Sequence, residues 1–222
     1  MRAKPVFCGL METQAGVETG TVRELPIVGG HLALDFANTI DDPLGPARFD
    51  HVATYAGLLH WSTRVGVLSP QRSKRLQQVA TLHPRAASAA LRKTHTLRGI
   101  LISVFTAAAT ASGSAATYWP QLRPFVVDAI KNADLTSTNA HGYQVAWPHS
   151  DDLAVMLWPI AEAATELLTG ADLNRVKRCA GCPWLFLDRS KNASRRWCAM
   201  NDCGTHEKIR RYVARRAERR AL

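Results

Sequence analysis

From about residue 50 onward the apolar positions recur at three- and four-residue intervals, which is the signature of amphipathic helices. Val52, Tyr55, Leu58, Leu59 and Val65 predict a helix capped by Asp50 and ended by Gly66. Ser69-Pro70 joins an N-cap residue to proline at the first helical position and predicts a short basic helix to about Leu82. Pro84 opens a long helix through Leu91, Leu97, Ile100, Leu101, Val104 and Phe105, closed by Ser112-Gly113-Ser114. Leu122, Phe125, Val126, Ala129 and Ile130 mark another. Ser150-Asp151-Asp152 is expected to cap a last large helix, Leu153 to about Leu168, kinked at Pro159 and ended by Gly170.

The remaining pieces are short. Leu32, Leu34 and Phe36 alternate as in a strand, but the run His31–Thr39 is brief and is read as a short helix stopped by Asp41-Asp42-Pro43. Two β-prone pieces between Leu135 and Trp147, separated by Asn139-Ala140-His141-Gly142-Tyr143, predict a small hairpin. Residues 1–24 lack periodicity and read as a flexible tail. Residues 25–172 then form a helical domain large enough for a real core.

Charge divides the chain at the same place. Residues 1–172 carry 14 basic and 14 acidic side chains, whereas residues 173–222 carry 14 basic and 4 acidic, the whole of the net +10. A segment of that kind seeks polyanions, nucleic acid first. No secretory signal is visible, and the apolar run within Gly99–Leu122 is well short of the ~20 residues a membrane span needs. The chain is expected to be cytoplasmic, with no membrane partner.

Four of the five cysteines fall in the basic segment, spaced Cys179-x2-Cys182-x15-Cys198-x4-Cys203. In a non-exported protein such a set reads as a metal site rather than as disulfides, and four thiolates suit one tetrahedral structural zinc. Trp184–Leu187 reads as a strand with Asp188–Asn192 as its turn, and Thr205 as the cap of a final helix. Knuckle, hairpin and helix make a small treble-clef-like module, so the fold class is mainly α with a C-terminal zinc module over 173–222. The module is expected to need its metal to fold. His206 is a rival fourth ligand.

The final helix carries Lys208, Arg210, Arg211 and Arg215, with Ile209, Tyr212 and Val213 as an apolar stripe expected to pack on Trp184 and Phe186. Arg195 and Arg196 precede the third cysteine. Arginine suits bidentate contacts with phosphate or guanine, so Arg195, Arg196, His206, Lys208, Arg210, Arg211 and Arg215 are the candidate nucleic-acid contacts, with RNA left open beside DNA.

The run Cys179-x2-Cys182-Pro183-Trp184-Leu185-Phe186-Leu187-Asp188-x-Ser190-x-Asn192, continued by Arg195-Arg196-Trp197-Cys198-x-Met200-x2-Cys203-Gly204, resembles the CGNR zinc finger of bacterial transcription regulators. Leu34-Asp35-Phe36-Ala37-Asn38-Thr39, Leu58-Leu59-x-Trp61 and Leu97-Arg98 resemble the ABATE domain that accompanies it. The name-giving Cys-Gly-Asn-Arg is here Cys203-Gly204-Thr205-His206. The resemblance implies a zinc-dependent DNA-binding transcription regulator whose helical domain senses a small molecule or stress. Its expected partners are DNA, a small-molecule effector and a second copy in a homodimer.

Asp35 and Asn38, polar and three apart in an apolar segment, read first as an internal turn or cap hydrogen bond, and they are the candidate ligand contacts if that reading fails. No H-E-x-x-H, G-x-S-x-G, Walker-type loop or G-x-G-x-x-G occurs, so no motif supports an enzyme. The alternative of a different class is an RNA-binding or ribosome-associated basic zinc module.

Overall fold

The computed structural model describes residues 25–41, 48–110, 112–138, 142–147 and 150–220. The expected tail, Cys8, Asp42-Pro43 and the hairpin turn residues 139–141 lie outside them. The chain runs α1 (Leu32–Ala37), β1 (Ile40–Asp41), β2 (Phe49–Asp50), α2 (Tyr55–Arg64), α3 (Pro70–Leu82), α4 (Pro84–Thr110), α5 (Trp119–Lys131), β3 (Asp134–Ser137), β4 (Tyr143–Ala146), α6 (Leu157–Thr169), β5 (Val176–Arg178), β6 (Leu185–Leu187) and α7 (Thr205–Glu218). The strands form three antiparallel pairs, β1–β2, β3–β4 and β5–β6. The fold is mainly helical with small hairpins, as the periodicity predicts. Among the described residues no helix is long and apolar enough to cross a membrane.

The long helix α4 is the axis. It buries Leu97, Leu101, Val104 and Phe105 against α1, α2, α5 and α6. Each such side chain contributes roughly 1.5–3 kcal/mol relative to exposure. Ser69 caps α3 by accepting from the Arg72 N–H, with Pro70 at the first position. Gly170 ends α6.

Several local expectations do not hold. Asp50 does not cap α2; Thr54 does, accepting from the Gly57 N–H at 3.0 Å. The Asp50 carboxylate lies in β2 and is drawn instead to Arg98. The last large helix starts at Leu157 rather than Leu153, because Asp152 accepts from the Ala154 N–H and sets residues 153–156 as turns. Pro159 consequently sits in the first turn of α6, where its missing N–H removes no helical bond and imposes no kink. The hairpin of the basic segment is also not the one expected. Its first strand, β5, precedes Cys179, and the Cys179–Cys182 knuckle forms the connection to β6.

The core does not stop at residue 172. Val176, Leu185 and Leu187 belong to the same buried cluster as Leu34, Phe36, Leu97 and Ile160. The outer edge of β6 is closed by the N-terminal segment. Asn38 Nδ2 donates to the Leu185 carbonyl at 2.8 Å, the Leu185 N–H donates to Asn38 Oδ1 at 2.9 Å, and the Leu187 N–H donates to the Gly29 carbonyl at 2.8 Å. Backbone groups that would otherwise be buried without partners are thereby satisfied.

Arg98 is buried at the edge of this core. Arg98 donates from Nη1 to Asp50 Oδ1 at 2.7 Å and from Nη2 to Oδ2 at 2.6 Å, and from Nη1 to Thr39 Oγ1 at 3.2 Å. Burial raises the Asp50 carboxyl, but the hydrogen bonds and charge of Arg98 outweigh it and hold it below the usual range. Removing one partner of a buried pair strands the other, so Arg98→Met should cost about 3–5 kcal/mol in urea unfolding at pH 7. A group lowered in the folded state stabilises above its unfolded value near ~4 and loses that contribution as pH falls through its folded one. The difference between wild type and variant should therefore shrink in acid. A cost below ~1 kcal/mol at pH 7, in the range of an exposed pair, contradicts this reading.

Candidate metal centre and basic helix

The knuckle is built by the hairpin that carries it. The register Lys177↔Phe186 and Arg178↔Leu185 brings Cys179 and Cys182 to its tip, where the Cys179 N–H donates to the Trp184 carbonyl at 2.8 Å. Gly181 permits close packing of the second pair: a Cβ there would sit 3.2 Å from Cys203 Cβ, tighter than an ordinary contact. The second pair arrives through the loop 188–197, whose organiser is Asp188. Fully buried (0% exposed), it accepts from Lys177 Nζ (2.8 Å), the Ser190 N–H (3.0 Å), the Ser190 hydroxyl (2.6 Å) and the Arg195 N–H (2.8 Å). Burial opposes its charge, yet these donors hold the carboxyl far below its ordinary range. Lys177 also donates to the carbonyl of Ala193, a residue in the left-handed region at φ 46°.

The four sulfurs of Cys179, Cys182, Cys198 and Cys203 lie within 4.8 Å of one another. Cys182 to Cys198 is 3.6 Å and Cys198 to Cys203 is 3.8 Å. A tetrahedral zinc with Zn–S of about 2.3 Å separates its sulfurs by about 3.8 Å, so the set fits one zinc ion. Cys179 Sγ receives hydrogen bonds from the thiols of Cys182 and Cys198 and from the N–H groups of Cys198 (3.3 Å) and Gly181 (3.4 Å), which lower it. Cys182 and Cys198 are pushed up by giving their protons to it, Cys198 to about 12, and burial raises Cys203. Zinc takes the place of those protons and stabilises all four as thiolates. His206 is not in the cluster; it is exposed beside Asp202 at 3.8 Å.

The final helix differs from expectation in two ways. A five-residue π turn, Met200–Gly204, runs directly into α7, so no free helix start exists at Thr205. Its hydroxyl donates to the Met200 carbonyl at 3.1 Å instead of capping. Ile209, Tyr212 and Val213 do not pack on Trp184 and Phe186; they are 55%, 63% and 59% exposed. Phe186 is buried by Val28, Cys179 and Cys198 with the Arg195 guanidinium 4.8 Å over its ring, which leaves no surface for the helix.

The cationic candidates separate accordingly. Arg195 Nη2 donates to the Cys198 carbonyl at 2.7 Å, so its side chain braces the metal loop. Arg196 lies over the Trp197 ring at 5.4 Å. Arg210 and Arg211 both pair with Glu207, a residue absent from the sequence-based candidates although its i,i+3 and i,i+4 spacing to them is visible there. Among the described residues Lys208 and Arg215 are in no ion pair. Asp188 is likewise more than the turn residue its position in the motif suggests.

The two candidate ligand contacts are turned inward. Asp35 accepts from the Gly29 N–H at 2.7 Å, and burial pushes its carboxyl up to about 6. Asn38 is occupied by both backbone groups of Leu185. Gly29 is glycine because a Cβ there would lie 2.8 Å from the Asp35 backbone nitrogen.

Residues 30–171 match the ABATE family model, described as "putative stress-induced transcription regulator". Residues 175–216 match the CGNR zinc finger. No curated protein matches the chain.

Purified protein should hold one zinc per chain. Cys198→Ser should leave well under half of that after dialysis, read by elemental analysis, because three thiolates no longer close the tetrahedron. Full zinc retention in the variant contradicts the assignment.

Proposed function

We propose that this chain, which belongs to the ABATE family of transcription regulators and carries a CGNR zinc finger, binds duplex DNA through α7, with the helical region 25–172 receiving the signal. One observation carries the reading. The α7 helix stands on the zinc centre with Lys208, Arg210, Arg211, Arg215 and Arg216 all exposed and no core against any face. Its 14 residues span about 21 Å at 1.5 Å per residue, and a helix of that form enters the ~12 Å wide major groove.

Each residue then has a role. Lys208, Arg211 and Arg215 share one face at helical spacing. Lys208 and Arg215 meet phosphate directly. Arg211 and Arg210 leave Glu207 to do so, exchanging one anion for another. His206 donates to phosphate at the start of the helix. Arg195 acts chiefly by holding the loop, while Arg196 flanks the same surface. The stress-induced character of the family supports placing the input in the helical region.

About five phosphate contacts give a slope near −4.5 for log K against log[salt]. In fluorescence anisotropy on duplex DNA, Arg215→Ala should make that slope shallower by about one and weaken all sequences alike. Glu207→Gln should strengthen binding by releasing two arginines. Tighter binding to structured RNA than to duplex DNA at the same salt, or a salt slope unmoved by Arg215→Ala and Arg211→Ala, overturns the reading.

A further inference from the structure

We propose that the groove between α5, β4 and α6 binds an organic cation with an apolar body. The groove encloses about 320 Å³ and is lined by Val126 and Ile130 of α5, Val145 of β4 and Trp147, with Glu162 and Glu166 of α6 along one wall. Small-molecule sites begin at about this size and are mostly apolar with a few placed polar groups.

The charge of the occupant is set by which polar groups remain available. Trp147 Nε1 donates to the Ala129 carbonyl at 2.9 Å. The hydroxyls of Thr165 and Thr169, also at the groove, donate to the carbonyls of Ala161 (2.9 Å) and Thr165 (2.8 Å) of their own helix. The two carboxylates are left. They stand one helical turn apart, and among the described residues neither has an ion pair or a side-chain hydrogen bond, although the Glu166 charge also acts on the His31 ring at the start of α1. Like charges at i,i+4 repel. Burial and the Glu166 charge both push the Glu162 carboxyl up, with no basic side chain acting on it. A cation between them relieves the repulsion while its hydrocarbon part covers Ile130 and Val145, which are 68% and 39% exposed. An anion meets two like charges, and a neutral hydrocarbon leaves the repulsion in place.

The inference supplies a ligand class for the signal-receiving region proposed above. It rests on that reading only for any effect on DNA, not for binding. The test is calorimetric titration of the zinc-loaded full chain with benzyltriethylammonium, and with 3-phenylpropionate as an aryl-alkyl probe of opposite charge. Saturable one-to-one binding is expected for the cation and none for the carboxylate. Glu162→Gln and Glu166→Gln, both on the groove's accessible wall, should each weaken the cation by about tenfold while leaving the thermal midpoint at or above that of the wild type, since each also relieves the repulsion. Ile130→Arg should abolish binding. No saturable heat with the cation, equal binding of the carboxylate, or wild-type affinity in the double Gln variant overturns the proposal. Repeating the titration with duplex DNA present keeps the two readings apart. A cation that binds without altering DNA affinity supports the site and counts against signal reception through it.

Discussion

The carboxamide of Asn38 is the joint on which the two ends of the chain depend. It answers both backbone groups of Leu185, a residue 147 positions away, in the way a neighbouring strand would. With Gly29 taking the Leu187 N–H, the outer edge of β6 is closed by a loop and a short helix rather than by a third strand. This lets a hairpin of two three-residue strands be buried on its apolar side without orphaned backbone. The metal centre depends on that placement. The register of β5 and β6 presents the Cys179–Cys182 knuckle, Asp188 folds the next loop back to deliver Cys198, and Gly181 leaves room for Cys203. The metal joins the two halves, and α7 leaves from the π turn that contains its last ligand.

Stability is consequently graded along the basic segment. Val176, Leu185 and Leu187 share the helical core and are stabilised by apolar contact in the usual way. The stretch from Asp188 to Cys203 has little apolar core beyond Phe186 and relies on buried polar bonds and zinc, which in small finger peptides contributes roughly 10–16 kcal/mol. Beyond Gly204 none of the described residues is buried, and α7 is held by its own hydrogen bonds and by Glu207. The expectation that the fifty residues need metal to fold therefore bears most on the part after β6, which packs least against the helical core.

The features legible in the sequence are local. The Ser69-Pro70 start of α3, the Pro84 start of α4, the β3–β4 hairpin and the cysteine spacing each arise from residues close together in the chain. The features that are not legible are long-range. Asn38 reads rightly as an internal hydrogen-bonding residue, but nothing near it names Leu185 as the partner, and nothing near Asp50 names Arg98, so Asp50 reads as a helix cap. The stripe Ile209, Tyr212 and Val213 misleads for a different reason: helical periodicity shows that a face is apolar but not that the protein supplies a surface to cover it. Phe186, the expected surface, is already enclosed by Val28, the cysteines and Arg195. Asp188 lies within the finger motif, yet its four-donor role depends on Lys177 across the hairpin.

The joint at Asn38 is tested most directly by amide hydrogen exchange at Leu185 and Leu187, monitored with zinc present and after its removal by chelation, in wild type and in Asn38→Ala. If the hairpin belongs to the helical core, both amides stay protected at the level of α1 and α4 after chelation while the amides of residues 198–218 exchange rapidly, and Asn38→Ala releases Leu185 even with zinc bound. Loss of protection at Leu185 and Leu187 in step with α7 on zinc removal, with no effect of Asn38→Ala, would mean that the metal rather than Asn38 holds the two ends together.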